Sequence, residues 1–272
     1  MPAMYVHGYG AREHERLQDQ ADSLVDLLHH DTAYPDGARV LEVGCGVGAQ
    51  TITLASRSPG ARFVSIDRSA DSLAVARERL ALGGHTNVEF RQGDIFALPF
   101  GAASFDHVFV CFVLEHLSQP REALQILKGL VTPGGTITVI EGDHGSTYYH
   151  PESAAARQAI DSLVEVQRQT GGDALIGRQL YPLLTAAGFD AVQVTPRMVY
   201  VDGSRPGLVD GFTRKTFTAM VEGVREQAIA NGVITPQVFD DGIRDLHRTA
   251  APDGVFCYCF FKAVGYVRPR RP

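Results

Sequence analysis

Val40-Leu41-Glu42-Val43-Gly44-Cys45-Gly46-Val47-Gly48 decides the fold of this chain. An apolar run long enough for one strand passes directly into three glycines at alternate positions. Ser65-Ile66-Asp67 closes the next apolar run about 20 residues further on, and Gly93-Asp94 follows a third. A strand, a turn open to close backbone approach and an acidic residue at the end of the following strand suit an adenosine-type cofactor, with the carboxylate at its ribose hydroxyls.

Outward from this stretch, strands and helices alternate at short intervals. The second strand is expected over Ala61–Ile66, the third over Val88–Gln92, the fourth over Phe105–Phe112 and the fifth over Thr136–Glu141. Helices are expected over Ala49–Ser56, Ser69–Leu82 and Pro120–Leu130, with Thr132-Pro133-Gly134-Gly135 as a turn. This order specifies an α/β fold with a doubly wound, Rossmann-like sheet. Upstream, apolar residues at helical spacing (Leu17, Ala21, Leu24, Leu27, Leu28) predict a helix over 11–30. Downstream, helices near 152–169 and 176–187 lead to a strand at 189–195. Helices near 206–230 and 236–250 precede a last strand at 255–263. The chain therefore divides into an N-terminal helical segment, 1–36, and one large domain, 37–272. A helical insertion over about 197–250 is expected to cover the sheet.

Composition narrows the function classes. Hydrophobic residues are 44% and charged residues 21% of the 272, as in an ordinary globular protein. A net charge of −6 argues against a broad nucleic-acid surface, and Arg268, Arg270 and Arg271 are too few for a basic arm. No apolar run reaches the roughly 18 residues of a membrane span. The expected location is cytoplasmic. The four cysteines (Cys45, Cys111, Cys257, Cys259) have no metal-ligand spacing and read as buried thiols, so no metal is expected.

Gly44, Gly46 and Ala49 alone fit either NAD or S-adenosylmethionine (SAM). Glu42 breaks the tie, because a carboxylate inside the strand needs a polar partner such as a cofactor amine or backbone amides. Gly93-Asp94 adds a second carboxylate on the same edge, suited to an adenine amino group. Together these residues resemble the class I SAM-dependent methyltransferases and their UbiE-like domains. Glu42-x-Gly44-x-Gly46-x-Gly48 is similar to the first motif of that family, Asp67 to its ribose-binding acid and Gly93-Asp94 to its adenine contact. Phe105-Asp106-His107-Val108 through Leu114-Glu115-His116-Leu117 is similar to its fourth-strand motif, and Pro133-Gly134-Gly135 to the turn before strand five. The resemblance implies a seven-stranded sheet whose last strand is antiparallel. It also implies a cofactor site formed by Glu42, Gly44, Cys45, Gly46, Gly48, Asp67, Arg68, Asp94, Ile95 and Phe112.

On the acceptor side, Glu141-Gly142-Asp143-His144-Gly145-Ser146 follows strand five, where α/β folds bind ligands. His144 is the candidate proton acceptor or acceptor-orienting group, with Asp143 and Glu141 to orient it and Tyr148, Tyr149 and His150 to line the same pocket. Tyr5-x-His7-Gly8-Tyr9-Gly10, with Arg16-Leu17 and Gln20, is similar to the N-terminal lids of small-molecule methyltransferases, including natural-product prenyl-indole C-methyltransferases. The resemblance implies that Tyr5, Tyr9, Arg16 and Gln20 close over SAM, with Tyr9 at the catalytic end. It also implies that the lid can be exchanged between subunits of a homo-oligomer. Phe212, Phe217 and Met220 fit the core or an aromatic pocket; Arg178, Arg197 and Arg214 fit solvated charges or an anion site.

The resulting expectation is methyl transfer to a small, hydrophobic organic acceptor, carbon being favoured slightly over oxygen and nitrogen. The alternatives are an RNA or protein methyltransferase, a non-catalytic SAM-binding regulator and an NAD-dependent oxidoreductase.

Overall fold

A computed structural model describes residues 24–269. Tyr5, Tyr9, Arg16 and Gln20 lie outside them, so the expected lid does too. Seven strands form one sheet in the order β3-β2-β1-β4-β5-β7-β6. They are β1 (Arg39–Val43), β2 (Arg62–Asp67), β3 (Val88–Gln92), β4 (Phe105–Cys111), β5 (Val131–His150), β6 (Asp190–Asp202) and β7 (Val255–Tyr266). Only β7 runs antiparallel, paired with β5 on one side and β6 on the other. The seven-stranded expectation holds, last strand included.

Both faces of the sheet are buried, which explains the continuous apolar runs in its central strands. On one face Leu41, Val43, Val108, Val110 and Val139 pack under α3 (Pro120–Leu130) and α5 (Leu180–Ala186). On the other, Val40, Phe63, Phe109 and Ile140 continue into Phe256, Tyr258 and Phe260 beneath α4 (Ala154–Gln169). The helices start where the sequence supplies caps. Ser69 accepts from the Ser72 N–H at 3.1 Å before α2 (Ala70–Leu82), and Ser153 does the same for Ala156 before α4. Helix α1 (Ala49–Arg57) instead leaves the glycine turn through Gly48 at φ 76°.

The second half of the sheet is longer than the pattern of apolar residues suggested. The β4–β5 ladder ends at Cys111↔Ile140, but β5 continues to His150, paired with β7 on both sides of a break between Asp143 and Thr147, and β6 runs beside β7 to Asp202. Residues 197–202, expected in the insertion, are therefore strand. Their strict alternation shows why: Arg197, Val199 and Val201 are buried while Met198 and Tyr200 are exposed. The cover runs from 203 to 254 and is not two simple helices. It contains a ten-residue π-helix (Val209–Thr218) and ends with α6 (Pro236–Arg248). The π-helix spacing sets Phe212 and Phe217 on the same side, both against Tyr258 at ring distances of 5.8 and 5.4 Å.

Candidate active site

The first half of the site is made by backbone. Gly44, Gly46 and Gly48 have φ of 71°, 52° and 76°, a region costly for other residues. A Cβ on Gly44 would overlap the Val113 side chain, which follows β4, whereas none of the described residues lies within 4 Å of the place a Cβ on Gly46 would occupy. The turn is thus packed from behind and open in front. Asp67 closes it: Oδ2 accepts from the Gly46 N–H and Oδ1 from the Ser69 N–H, both at 2.8 Å. Each oxygen keeps a second lone pair, so the carboxylate is aimed and still able to accept two hydroxyls.

Glu42 is buried, and its partners differ from those expected. Thr51 Oγ donates to Oε2 at 2.8 Å and Ser65 Oγ at 2.5 Å, in place of backbone amides. Burial pushes the carboxyl up to about 7, against the pull of the Ser65 and Thr51 hydroxyls. Asp94 is exposed and accepts from the Phe96 N–H at 2.9 Å, an Asx turn that fixes the loop after β3 over the buried Ile95. Cys45 is buried and Arg68 exposed. Phe112, just past β4, takes φ 58°, a strained backbone for an aromatic residue. Its ring lies 5.6 Å from that of Phe260.

The second half is made by side chains from distant elements. Between Asp143↔Cys259 and Thr147↔Tyr258 the β5–β7 register slips, so His144, Gly145 and Ser146 bulge from the ladder. His144 was expected in a loop after strand five; it stands in this bulge and is buried. Its N–H donates to Ala174 O at 3.0 Å. Its Nδ1 bonds the Tyr258 hydroxyl at 2.7 Å, and its Nε2 lies 4.0 Å from Glu115 Oε2. Phe217 meets the ring edge-on at 6.1 Å.

Neither residue expected to orient His144 bonds its ring. Asp143 is taken by Arg178 in a two-pronged pair at 2.8 Å each and by Ser146 Oγ at 2.6 Å. Glu141 Oε1 accepts from the Val113 and Leu114 N–H groups at 3.0 and 2.7 Å. Burial and the neighbouring Glu115 charge push the Glu141 carboxyl well above the carboxylate range. Tyr148 is exposed, while Tyr149 stacks on Phe256 at 6.4 Å and donates to Ser153 O at 3.2 Å. Arg197 is buried against Asp31 and His30, and Arg214 donates to Ala250 O at 2.9 Å. Among the described residues no cluster of metal ligands occurs, and no helix is long and apolar enough to cross a membrane.

A methyltransferase-domain family model matches residues 35–188, more than half of the chain. The chain belongs to that family, and the fold and glycine turn make it a class I SAM-dependent methyltransferase domain. It is 33% identical over 190 residues to an uncharacterized 37.1 kDa protein in transposon TN4556 of Streptomyces fradiae, covering 69% of this chain and 54% of that one. It is 31% identical over 154 residues to a 2-phytyl-1,4-naphtoquinone methyltransferase of Thermosynechococcus vestitus, covering 53% and 64%. The chain thus spans about half the length of the curated relatives it matches. The crystal structure of a putative methyltransferase from Bacillus halodurans superposes with a TM-score of 0.59 at 19% identity, covering 91% of this chain and 99% of that one. That likeness concerns the fold.

The residues present fit SAM. Among the described residues nothing closes the front of Gly46, which admits a ligand to the backbone, and Asp67 presents two aimed lone pairs.

Proposed function

We propose that this chain transfers a methyl group from SAM to a small organic acceptor with a hydrophobic body, carbon being the favoured acceptor atom. The observation that carries this reading is the aromatic packing against the buried His144. Phe217 and Tyr258 contact the ring of the buried His144, Phe212 and Phe260 pack behind them on Tyr258, and the Glu115 carboxylate lies 4.0 Å from the imidazole. A buried, aromatic surround of this kind suits a flat aromatic or isoprenoid-bearing molecule better than a large folded substrate. The naphthoquinone methyltransferase relative acts on a molecule of that size and kind.

In this reading Asp67 holds the ribose, Asp94 and Ile95 border the adenine, and the turn from Gly44 to Gly48, with Cys45 at its floor, admits the methionine part. Glu42 stiffens the turn from below through Thr51 on α1 and Ser65 on β2. Arg68 and Phe112 edge the same site, and Tyr5, Tyr9, Arg16 and Gln20 are proposed to close it. SAM supplies a methyl group on a sulfonium, already bonded to a good leaving group. The protein's contribution is therefore alignment, exclusion of water and handling of the acceptor's proton. His144 is the group on the acceptor side. The test is transfer of labelled methyl from SAM to a panel of quinols, phenols and prenylated indoles, with amines, RNA and protein as controls. Label in the aromatic small molecules supports the proposal; label confined to RNA or protein overturns it.

A further inference from the structure

Residues 28–32, at the end of the helical stretch 24–29, are bonded by three separate elements of the domain. Lys262 of β7 stands opposite Ile140 of β5, and its ammonium group reaches Asp31 Oδ1 and Thr32 Oγ at 2.6 Å each and Leu28 O at 3.5 Å. Each of its three hydrogens therefore has an acceptor. Arg197 of β6 pairs with Asp31 Oδ2 and donates to His30 Nε2 at 2.8 Å. Arg57, in the last turn of α1, donates to His30 O at 2.8 Å and to Thr32 O at 3.3 Å. Leu24 and Leu28 are buried in the same core cluster as Phe109 and Ile140, so the stretch lies on that face of the sheet. Carbonyls left open at the end of a helix are met by cations, which also suit the negative end of its dipole.

The side chains of Lys262 and Arg197 are only 4% and 9% exposed. Cations this deeply buried are expensive to desolvate, and well-packed apolar residues would hold a helix at least as firmly. What an ionic pin adds is a single seating, because Asp31 meets both cations at once in one position only. That position matters through His29. Its Nε2 bonds Gln50 Oε1 at 2.7 Å, and its ring lies 5.8 Å from that of Phe109. Burial pushes the imidazole down to about 4, so near neutral pH it is uncharged and gives its Nε2 hydrogen to the amide oxygen. Gln50 is the second residue of α1, two places after Gly48, and its neighbour Thr51 is tied to Glu42. Gln50 and Arg57 are seven residues apart and share one face of the helix. The segment therefore grips α1 at both ends, and the first grip is beside the glycine turn.

We infer that residues 28–32 are a support of the cofactor site: Lys262 and Arg197 seat them on the sheet, the seated His29 fixes the first turn of α1, and cofactor binding and seating favour one another. Lys262, Arg197, Asp31 and His29 are positioning residues that act through Gln50 on the glycine turn. Coupling of this kind is reciprocal. A ligand that tightens the turn stabilises the segment, and a loosened segment weakens the ligand by the same factor. The inference rests on the cofactor part of the proposed function and not on the acceptor.

The test is hydrogen exchange read by mass spectrometry on the full chain, with and without S-adenosylhomocysteine, beside calorimetric titration of that ligand. In the wild type, the ligand should slow exchange of the amides in 24–32 roughly fivefold or more and leave α6 in the cover unchanged. Asp31→Asn, at a nearly half-exposed side chain, removes the ionic pin with little change of volume. It should speed exchange of 24–32 in the free protein and weaken S-adenosylhomocysteine roughly fivefold or more, again with α6 unchanged, which separates a local effect from general unfolding. Gln50→Leu leaves the pin intact and cuts its link to the turn. It should keep the free-protein exchange of 24–32 within about twofold of wild type and lose the further slowing on binding. A ligand that binds the wild type without slowing exchange in 24–32 overturns the inference, as does an Asp31→Asn protein of wild-type affinity or a Gln50→Leu protein that keeps the slowing. No binding to the wild type at all would overturn the cofactor placement, and this inference with it.

Discussion

The two halves of the site are built by opposite means. At the β1–β2 edge, backbone does the work: three glycines turn the chain, and Asp67 is aimed by N–H groups from Gly46 and Ser69. At the β5–β7 edge, side chains do it: His144 is held by a hydroxyl 114 residues away in sequence, inside an aromatic wall from a π-helix. A backbone site asks little of the residues around it and serves one ligand. A side-chain site can be respecified by changing a few residues, which is how one sheet can serve many acceptors.

The largest effect expected from this contrast concerns Glu42, beneath the backbone half. Its raised carboxyl means that the folded state holds a proton the unfolded state has released between about pH 4.5 and 7. Stability from this group is therefore full at low pH and lost as pH rises toward 7. Over that window the shift amounts to about 3 kcal/mol as an upper bound. Glu42→Gln should be more stable than wild type at pH 8 and close to it at pH 5, read by urea denaturation at both pH values. His29, pushed down to about 4 mainly by burial, contributes the opposite slope between about pH 4 and 6.5. It is present in both proteins and drops out of the difference. A pH-independent difference would remove Glu42 as a titrating strut.

Asp67→Ala comes next. Loss of two charge-assisted hydrogen bonds should weaken S-adenosylhomocysteine binding roughly thirtyfold, or about 2 kcal/mol, by calorimetric titration. Unchanged affinity would show that the ribose lies elsewhere. Two glycine variants then separate the halves. Gly142→Ala, whose methyl would overlap the Tyr258 hydroxyl, should cost about 1–2 kcal/mol of stability and leave cofactor affinity nearly intact. Gly46→Ala meets no atom of the described residues within 4 Å and should cost only about 1 kcal/mol of stability through its positive φ, yet reduce S-adenosylhomocysteine affinity at least tenfold. If both variants lose cofactor affinity equally, the halves are not independent.

The same contrast explains what could be read from the sequence. The central strands and the glycine turn were legible because their determinants are local, apolar runs and glycines at fixed spacing, whereas the antiparallel last strand followed from the family resemblance. His144 was legible as a histidine after the fifth strand. Tyr258 was not, because Val255-Phe256-Cys257-Tyr258-Cys259-Phe260 reads as an apolar core strand and nothing in it marks one hydroxyl as aimed. Glu115 stood within a quoted motif, but its contacts with Gln167 of α4 and His144 of the β5 bulge require the folded chain. The bulge left only Gly145 as a trace. Glu42 was recognised as needing a partner, but the partner arrives through pairing with β2 and the first turn of α1, contacts that require the folded register.

The most direct measurement is a crystal structure with S-adenosylhomocysteine bound. The account predicts the ribose hydroxyls on Asp67, and the sulfur facing a narrow cavity bordered by His144, Glu115 and the Phe217–Tyr258 wall. A sulfur that opens instead onto a broad, charged groove, with His144 turned away from it, would contradict the account and point to a macromolecular substrate.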